Sequence, residues 1–206
     1  MKRRAAIVPL AICLILAELA LAGLSPEALA QGSGAGGGIM PEPDLTPGRS
    51  NSLPPEPEAK ADGWRLQGRC DVAIPIYRAL INQGTGYELA EFNLGRCLLD
   101  TAKKAPDAAT AEAMKREAAD WTLKAANRGL PNAQNGLAAM YLDGEGVTAD
   151  PVEAGKWSLL YHDNAARRMY GLPDIAPALQ VRLDGALNEK NWDAAQARAA
   201  AWSPAP

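Results

Sequence analysis

Three features of this chain carry residue types with chemical potential: its one histidine, its cysteines, and a stretch rich in acids and glycines, DGEGVTADPVEA, from Asp143 to Ala154. A catalytic triad with histidine as base would have to use His162. That residue stands between Tyr161 and Asp163 in a helical run, and the chain has no nucleophile elbow to serve it. It is expected as a surface histidine near a helix C-terminus. One histidine and three cysteines are too few for a metal site built from several such ligands. The acids offer many carboxylate pairs, but no spacing singles one out for general acid–base work. No catalytic residue, metal or cofactor is assigned.

The acid–glycine stretch invites three readings. A calcium loop would place acids at alternate positions and a bidentate Glu at the twelfth, where this stretch has Val147 at the fifth and Ala154 at the twelfth. A phosphate loop would require Gly-Lys-Ser/Thr, which is missing. The local pattern suits a turn between helices. Gly144 can end one helix in a left-handed conformation. Asp150 then serves as N-cap, Pro151 as first helical residue and Glu153 as the reciprocal partner of a capping box. Gly144, Gly146 and Asp150 are therefore assigned to a structural turn.

The elements that flank this turn are helical. Apolar residues recur at helical spacing in three stripes: Val72, Ile76, Ala79 and Leu80; Ala90, Leu94, Cys97 and Leu98; Ala133, Leu137, Met140 and Tyr141. Strand-like alternation is absent. The segments NQGTGY, NRGLPN, LDGEGV, YGLPD and LNEKN punctuate the pattern. About eight helices with short connections are predicted, with antiparallel neighbours. The five tryptophans, Trp64, Trp121, Trp157, Trp192 and Trp202, fall mostly at helical core spacing and are assigned to packing rather than to sugar stacking.

Length and composition, 206 residues with 48% apolar, suffice for one core. The net charge of -3, with both signs interspersed, lacks the basic footprint of a nucleic-acid binder. Lys2, Arg3 and Arg4 precede an apolar run and two small-x-small sites, the pattern of an export signal over residues 1–30. Cleavage is expected after Ala30, with Ala22 second. Glu18 inside the apolar run disfavours a permanent span, since a mid-membrane carboxylate costs about 3 kcal/mol on insertion scales. An uncleaved anchor to the inner membrane is the alternative. Cys13 follows Ile12 where a lipidated cysteine needs a small residue, so lipidation is not expected. Residues 31–56, first glycine-rich and then proline-rich, read as a disordered tether. Within it, Gly32, Gly34 and Gly37 match a dinucleotide fingerprint only formally, having neither strand before nor helix after. Residues 57–206 form the folded domain.

With the signal removed, Cys70 and Cys97 remain in an oxidising compartment. A helix starting near Asp71 and another from about Tyr87 to Asp100, folded back at Gly84 to Gly86, would bring them together. A disulfide there closes a loop of 26 intervening residues and contributes roughly 3 to 4 kcal/mol in the chain-entropy picture. Two separate buried thiols are the other reading.

Two segments also resemble each other. AEFNLGRCLLD, from Ala90, lies over AQNGLAAMYLD, from Ala133, and WTLKAANRG, from Trp121, lies over WSLLYHDNA, from Trp157, with a seven-residue insertion in the first unit. A repeat of this size built from a helix pair points to an α-solenoid. The stretch PNAQNGLAAMYLDGEGVTADPVEAGKW resembles the Sel-1-like repeat family, relatives of the tetratricopeptide repeats, through Ala133, Leu137, Tyr141, Gly144, Gly146, Val147, Asp150, Ala154 and Trp157. Lys124, Ala125, Ala126 and Gly129 match the ending of the preceding unit. Ala138 departs from the family glycine after Leu137, the first unit lacks the G-x-G-V turn, and the unit after Trp157 lacks the K-A-A-x-x-G ending. Two units, about 87–129 and 131–165, with helical caps on both sides, are what the resemblance implies. Its cysteine-rich exported members staple helix pairs inside each repeat at short spacing, a pattern matched only in part.

The resemblance implies an all-α fold, a short α/α solenoid of antiparallel helix pairs, and a non-catalytic scaffold that is periplasmic or secreted. Its expected partner is a protein or peptide of the bacterial cell envelope, held on the concave face made by the first helices of the repeats. By register Phe92, Arg96, Asn135 and Ala139 lie opposite the core stripes and are the candidate binding residues, with partial burial against a neighbouring repeat as the other reading of Phe92. No nucleic acid and no membrane insertion of the mature form are expected. The rival reading is binding or hydrolysis of β-lactams or peptidoglycan fragments, as some cysteine-rich relatives suggest, although the S-x-x-K motif common in such catalysis is missing.

Overall fold

Short side-chain caps decide where four of the helices begin. In a computed structural model that describes residues 56–205, Asp107 accepts a hydrogen bond from the Thr110 N–H, Asp150 from those of Val152 and Glu153, Asn164 from those of Ala166 and Arg167, and Asn188 from that of Asn191. Each satisfies donors that the first helical turn leaves without a partner. The described residues are all-helical, with nine helices: α1 (Glu56–Leu66), α2 (Cys70–Ile81), α3 (Glu88–Ala102), α4 (Ala108–Asn127), α5 (Pro131–Asp143), α6 (Pro151–Asp163), α7 (Ala165–Met169), α8 (Pro177–Ala186) and α9 (Glu189–Ala200). The ninth beyond the expected eight is α7. Asn164, with extended backbone (φ -61°, ψ 120°), ends α6 and caps α7 in the same step, a break hidden inside an otherwise helical pattern. The expected export signal and all of the tether before Glu56 lie outside the described residues.

Neighbours in sequence pack as neighbours in space from α1 through α6, and α9 then returns to α6. The hairpins are antiparallel, as their cross-links show. Cys70 at the start of α2 is disulfide-bonded to Cys97 late in α3, with Cα atoms 5.2 Å apart. Arg128, just after α4, reaches back to Glu91 at the start of α3; Asn164, just after α6, reaches back to Gln134 at the start of α5.

Two main clusters form the interior. One joins α1, α2 and α3 through Ala61, Ala73, Tyr77, Leu80, Leu94, Leu98 and the disulfide; the other joins α4, α5 and α6 around Leu130, Leu137 and the fully buried Trp157. The remaining tryptophans are half-buried. The apolar stripes of α3 and α5 lie inside as expected, Tyr141 being half-buried. The stripe of α2 is rotated. Ala79 is exposed and Val72 and Ile76 are half-buried, whereas Cys70, Ala73, Tyr77 and Leu80 face the core. The run VAIPIYRALI is apolar nearly all round, so its spacing leaves the face undecided. The rotation is set by the disulfide and by Tyr77, whose hydroxyl donates to Asp62 of α1. Asp62 also accepts from Asn93 of α3 at 2.9 Å, so one carboxylate ties three helices together. Burial, with the Asp62 carboxylate beside it, pushes the Tyr77 phenol far above its ordinary value.

Candidate functional site

Helices α3 and α5 meet through the Phe92 side chain of α3, which lies over Gly136 of α5. A Cβ placed on Gly136 of α5 would stand 3.4 Å from the ring of Phe92 and 3.6 Å from the methyl of Thr122, ordinary van der Waals distances, so this position lies against side chains of both α3 and α4. Phe92 is half-buried and packs against the second core cluster. Its ring carries the Arg96 guanidinium one turn further along α3, 5.8 Å from the ring centroid and exposed to solvent. Asn135, next to Gly136, is half-buried, with an enclosed Oδ1 that accepts no hydrogen bond. Ala139 lies one turn further along α5, half-buried. The structure thus brings Phe92 and Arg96 together and sets Asn135 beside the residue Phe92 touches.

Beyond Arg96 this face opens into a recess of about 200 Å³ lined by Arg96, Leu99, Asp100, Lys103 and Glu145. Glu145 comes from the α5–α6 turn, which is the acid–glycine stretch. Gly144 ends α5 at φ 69°, and the Glu145 N–H bonds to the Met140 carbonyl. Gly146 at φ 72° packs its backbone on α4, where a Cβ would fall 2.1 Å from the Lys115 carbonyl oxygen. Asp150 caps α6 as expected, but the capping box is half-formed. The Asp150 N–H donates to the Tyr141 carbonyl, and the Glu153 carboxylate takes Lys156 and Arg198 instead. Burial pushes the Asp150 carboxyl up, but Arg198 and the two capping N–H groups outweigh it and hold it below the usual carboxylate range.

Two side-chain clasps frame the face, and neither was predicted from sequence. Glu88 and Glu91 of α3 are both buried; Arg128 donates to Glu91 at 2.8 Å and stands 3.9 Å from Glu88. Burial raises the Glu91 carboxyl above its ordinary value despite Arg128. In the second hairpin, Asn164 donates to Gln134 at 2.9 Å and to the Gly129 carbonyl at 3.0 Å. The signal was present in the two aligned segments, where Glu91 lies over Gln134 and Arg128 over Asn164.

His162 is exposed, with Nδ1 3.0 Å from Asp174, and its carbonyl accepts from the Arg167 guanidinium. The bond from His162 holds the Asp174 carboxyl below its ordinary range. Among the described residues no group of three or more His, Cys, Asp or Glu side chains is placed to hold a metal ion, and no helix is long and apolar enough to cross a membrane. Comparison with family models, with curated proteins and with solved structures yields no match.

Proposed function

We propose that this chain is a non-catalytic, exported α/α repeat scaffold of the Sel-1-like kind, which binds a protein or peptide at the cell envelope through the face of α3 and α5. The observation that carries this reading is the paired construction of the hairpins α3–α4 and α5–α6, each closed by a side chain just beyond its second helix that bonds the matching position of its first. A stacked pair of such units exposes its first helices along one continuous surface, the kind of surface repeat proteins use for partners. On that surface Phe92 and Arg96 supply an aromatic and a cation, two residue types enriched in protein interfaces. The export signal, the tether and the cell-envelope location belong to this reading through the sequence pattern of residues 1–56.

The test is capture from a native cell-envelope extract by the purified chain beside an Arg96→Glu, Asn135→Arg variant whose melting curve matches the parent. A protein retained by the parent and lost by the variant supports the scaffold and its face. Retention of peptidoglycan fragments or a β-lactam, with no protein above background, would replace it with the cell-wall reading.

A further inference from the structure

The recess beside Arg96 holds two charges of opposite sign, Arg96 and Glu145, that form no ion pair among the described residues. Its acids and bases are Arg96 and Asp100 of α3, Lys103 just after that helix, and Glu145 of the α5–α6 turn. Lys103 is bonded to Asp100 at 2.8 Å, and Lys115, the other ammonium group within the field of Glu145, is bonded to Glu112 at 2.8 Å. Arg96 makes no hydrogen bond or ion pair and rests only on the Phe92 ring. Glu145 likewise has no ion pair. Most arginines here are tied to a carboxylate or carbonyl, as Arg69, Arg78, Arg128, Arg167, Arg182 and Arg198 are. Among the described residues Arg116 also makes no such bond.

An unpaired guanidinium and an unpaired carboxylate that share one recess without meeting are the complement of a ligand that bridges them. Guanidinium favours a planar carboxylate through two parallel N–H donors, and Glu145 favours an ammonium or guanidinium group. Leu99, which also lines the recess, offers apolar contact for the connecting backbone. We propose that this recess reads a mixed-charge segment of a protein partner, with an Asp or Glu of the partner on Arg96 and a Lys or Arg of the same segment on Glu145. The proposal deepens the protein-binding reading and rests on it.

Fluorescein-labelled octapeptides of Gly and Ser test it, carrying one Glu and one Lys in either order, two Glu, two Lys, or no charge. Anisotropy titrations with the purified chain should show one order of the mixed-charge peptides binding about tenfold or more tighter than every other peptide, with the preference weakening as salt rises. Arg96→Glu and Glu145→Arg should each abolish that preference, and the double reversal should restore it for the opposite order. Charge-independent binding, no binding of a mixed-charge peptide, or binding untouched by either reversal would overturn the proposal. So would single reversals that lower the melting temperature and a double reversal that restores it, because the two residues would then be partners of each other. A cell-envelope protein captured equally by the parent and by both reversals, yet lost by Asn135→Arg, would keep the protein-binding reading and sink only the mixed-charge one.

Discussion

The two central hairpins solve the same packing problem with different chemistry. In α3–α4 the closing clasp is ionic, Glu91 with Arg128; in α5–α6 it is neutral, Gln134 with Asn164. The second helices differ in length, 20 residues in α4 against 13 in α6, so the seven-residue insertion read from sequence is about two extra helical turns. The α5–α6 turn rests just beyond those extra turns, on the part of α4 that α6 matches, since Gly146 meets Lys115 and Ala119. Helix approach differs as well. Gly95 lets α3 lie directly on Ala118 and Thr122 of α4, whereas its counterpart in α5 is Ala138, which already carries a Cβ. The first hairpin gains its fit from backbone proximity and the second from a well-formed turn.

The largest effects should come from the points where one hairpin leans on another element. Gly146→Ala forces a Cβ onto the Lys115 carbonyl oxygen and strains a left-handed residue, and should cost about 3 to 5 kcal/mol in urea denaturation. A loss below about 1 kcal/mol would mean that the turn does not rest on α4. Next is the disulfide, which binds the first hairpin to α2 and has no equivalent in the second. With a sequence separation of 27, the Cys70→Ala, Cys97→Ala double variant should lose roughly 3 kcal/mol, and dithiothreitol should lower the parent's stability by a similar amount while leaving the variant unchanged.

What the sequence made legible was local. Helical spacing located the buried faces of α3 and α5, and Gly144, Asp150 and Pro151 announced their turn by residue type alone. The face of α2 was not legible, because a nearly all-apolar run gains its orientation from Tyr77 reaching Asp62 on another helix. The ninth helix was hidden for a related reason. Asn164 breaks the chain with the same side chain that closes the second hairpin, a role that depends on Gln134 thirty residues earlier. On the candidate face, register proposes Phe92 and Arg96, whereas Glu145 comes beside Arg96 only because the turn folds back onto α4.

Gly95→Ala tests the contrast in helix approach. The new Cβ would meet Thr122 Oγ1 at 2.7 Å and the Ala118 carbonyl at 2.9 Å, and the second of these is backbone that cannot turn away. A loss of about 1 to 3 kcal/mol is expected by chemical denaturation. The reciprocal change, Ala138→Gly, removes a buried methyl from a position that already accommodates it and loosens the α5 backbone, so about 1 kcal/mol should be lost there. Equal tolerance of alanine at both sites would erase the distinction.

The smallest effect concerns the clasps, and it lies in the pH dependence of stability. Burial, opposed by Arg128, sets the folded-state carboxyl of Glu91 above its unfolded value. Between those two values the unfolded chain has released a proton that the folded chain keeps, so the contribution of Glu91 to stability falls as pH rises through that window. The window opens near pH 4.5, the ordinary value for the group, and closes at the raised one. Glu91→Gln gives the first hairpin the residue that Gln134 supplies in the second. It should remove this decline from melting temperatures recorded across the acidic range, while Gln134→Glu should introduce one of the same sign, steeper because Asn164 offers no compensating charge. The Asp150 carboxyl, held low by Arg198 and its cap, supplies the opposite control. Its contribution is present above the unfolded value and is lost as pH falls through the folded one, so Asp150→Asn should flatten the curve only at the acid end. A parent and a Glu91→Gln variant with superimposable pH profiles would show that the ionic clasp is titrationally silent, leaving the difference between the hairpins one of geometry alone.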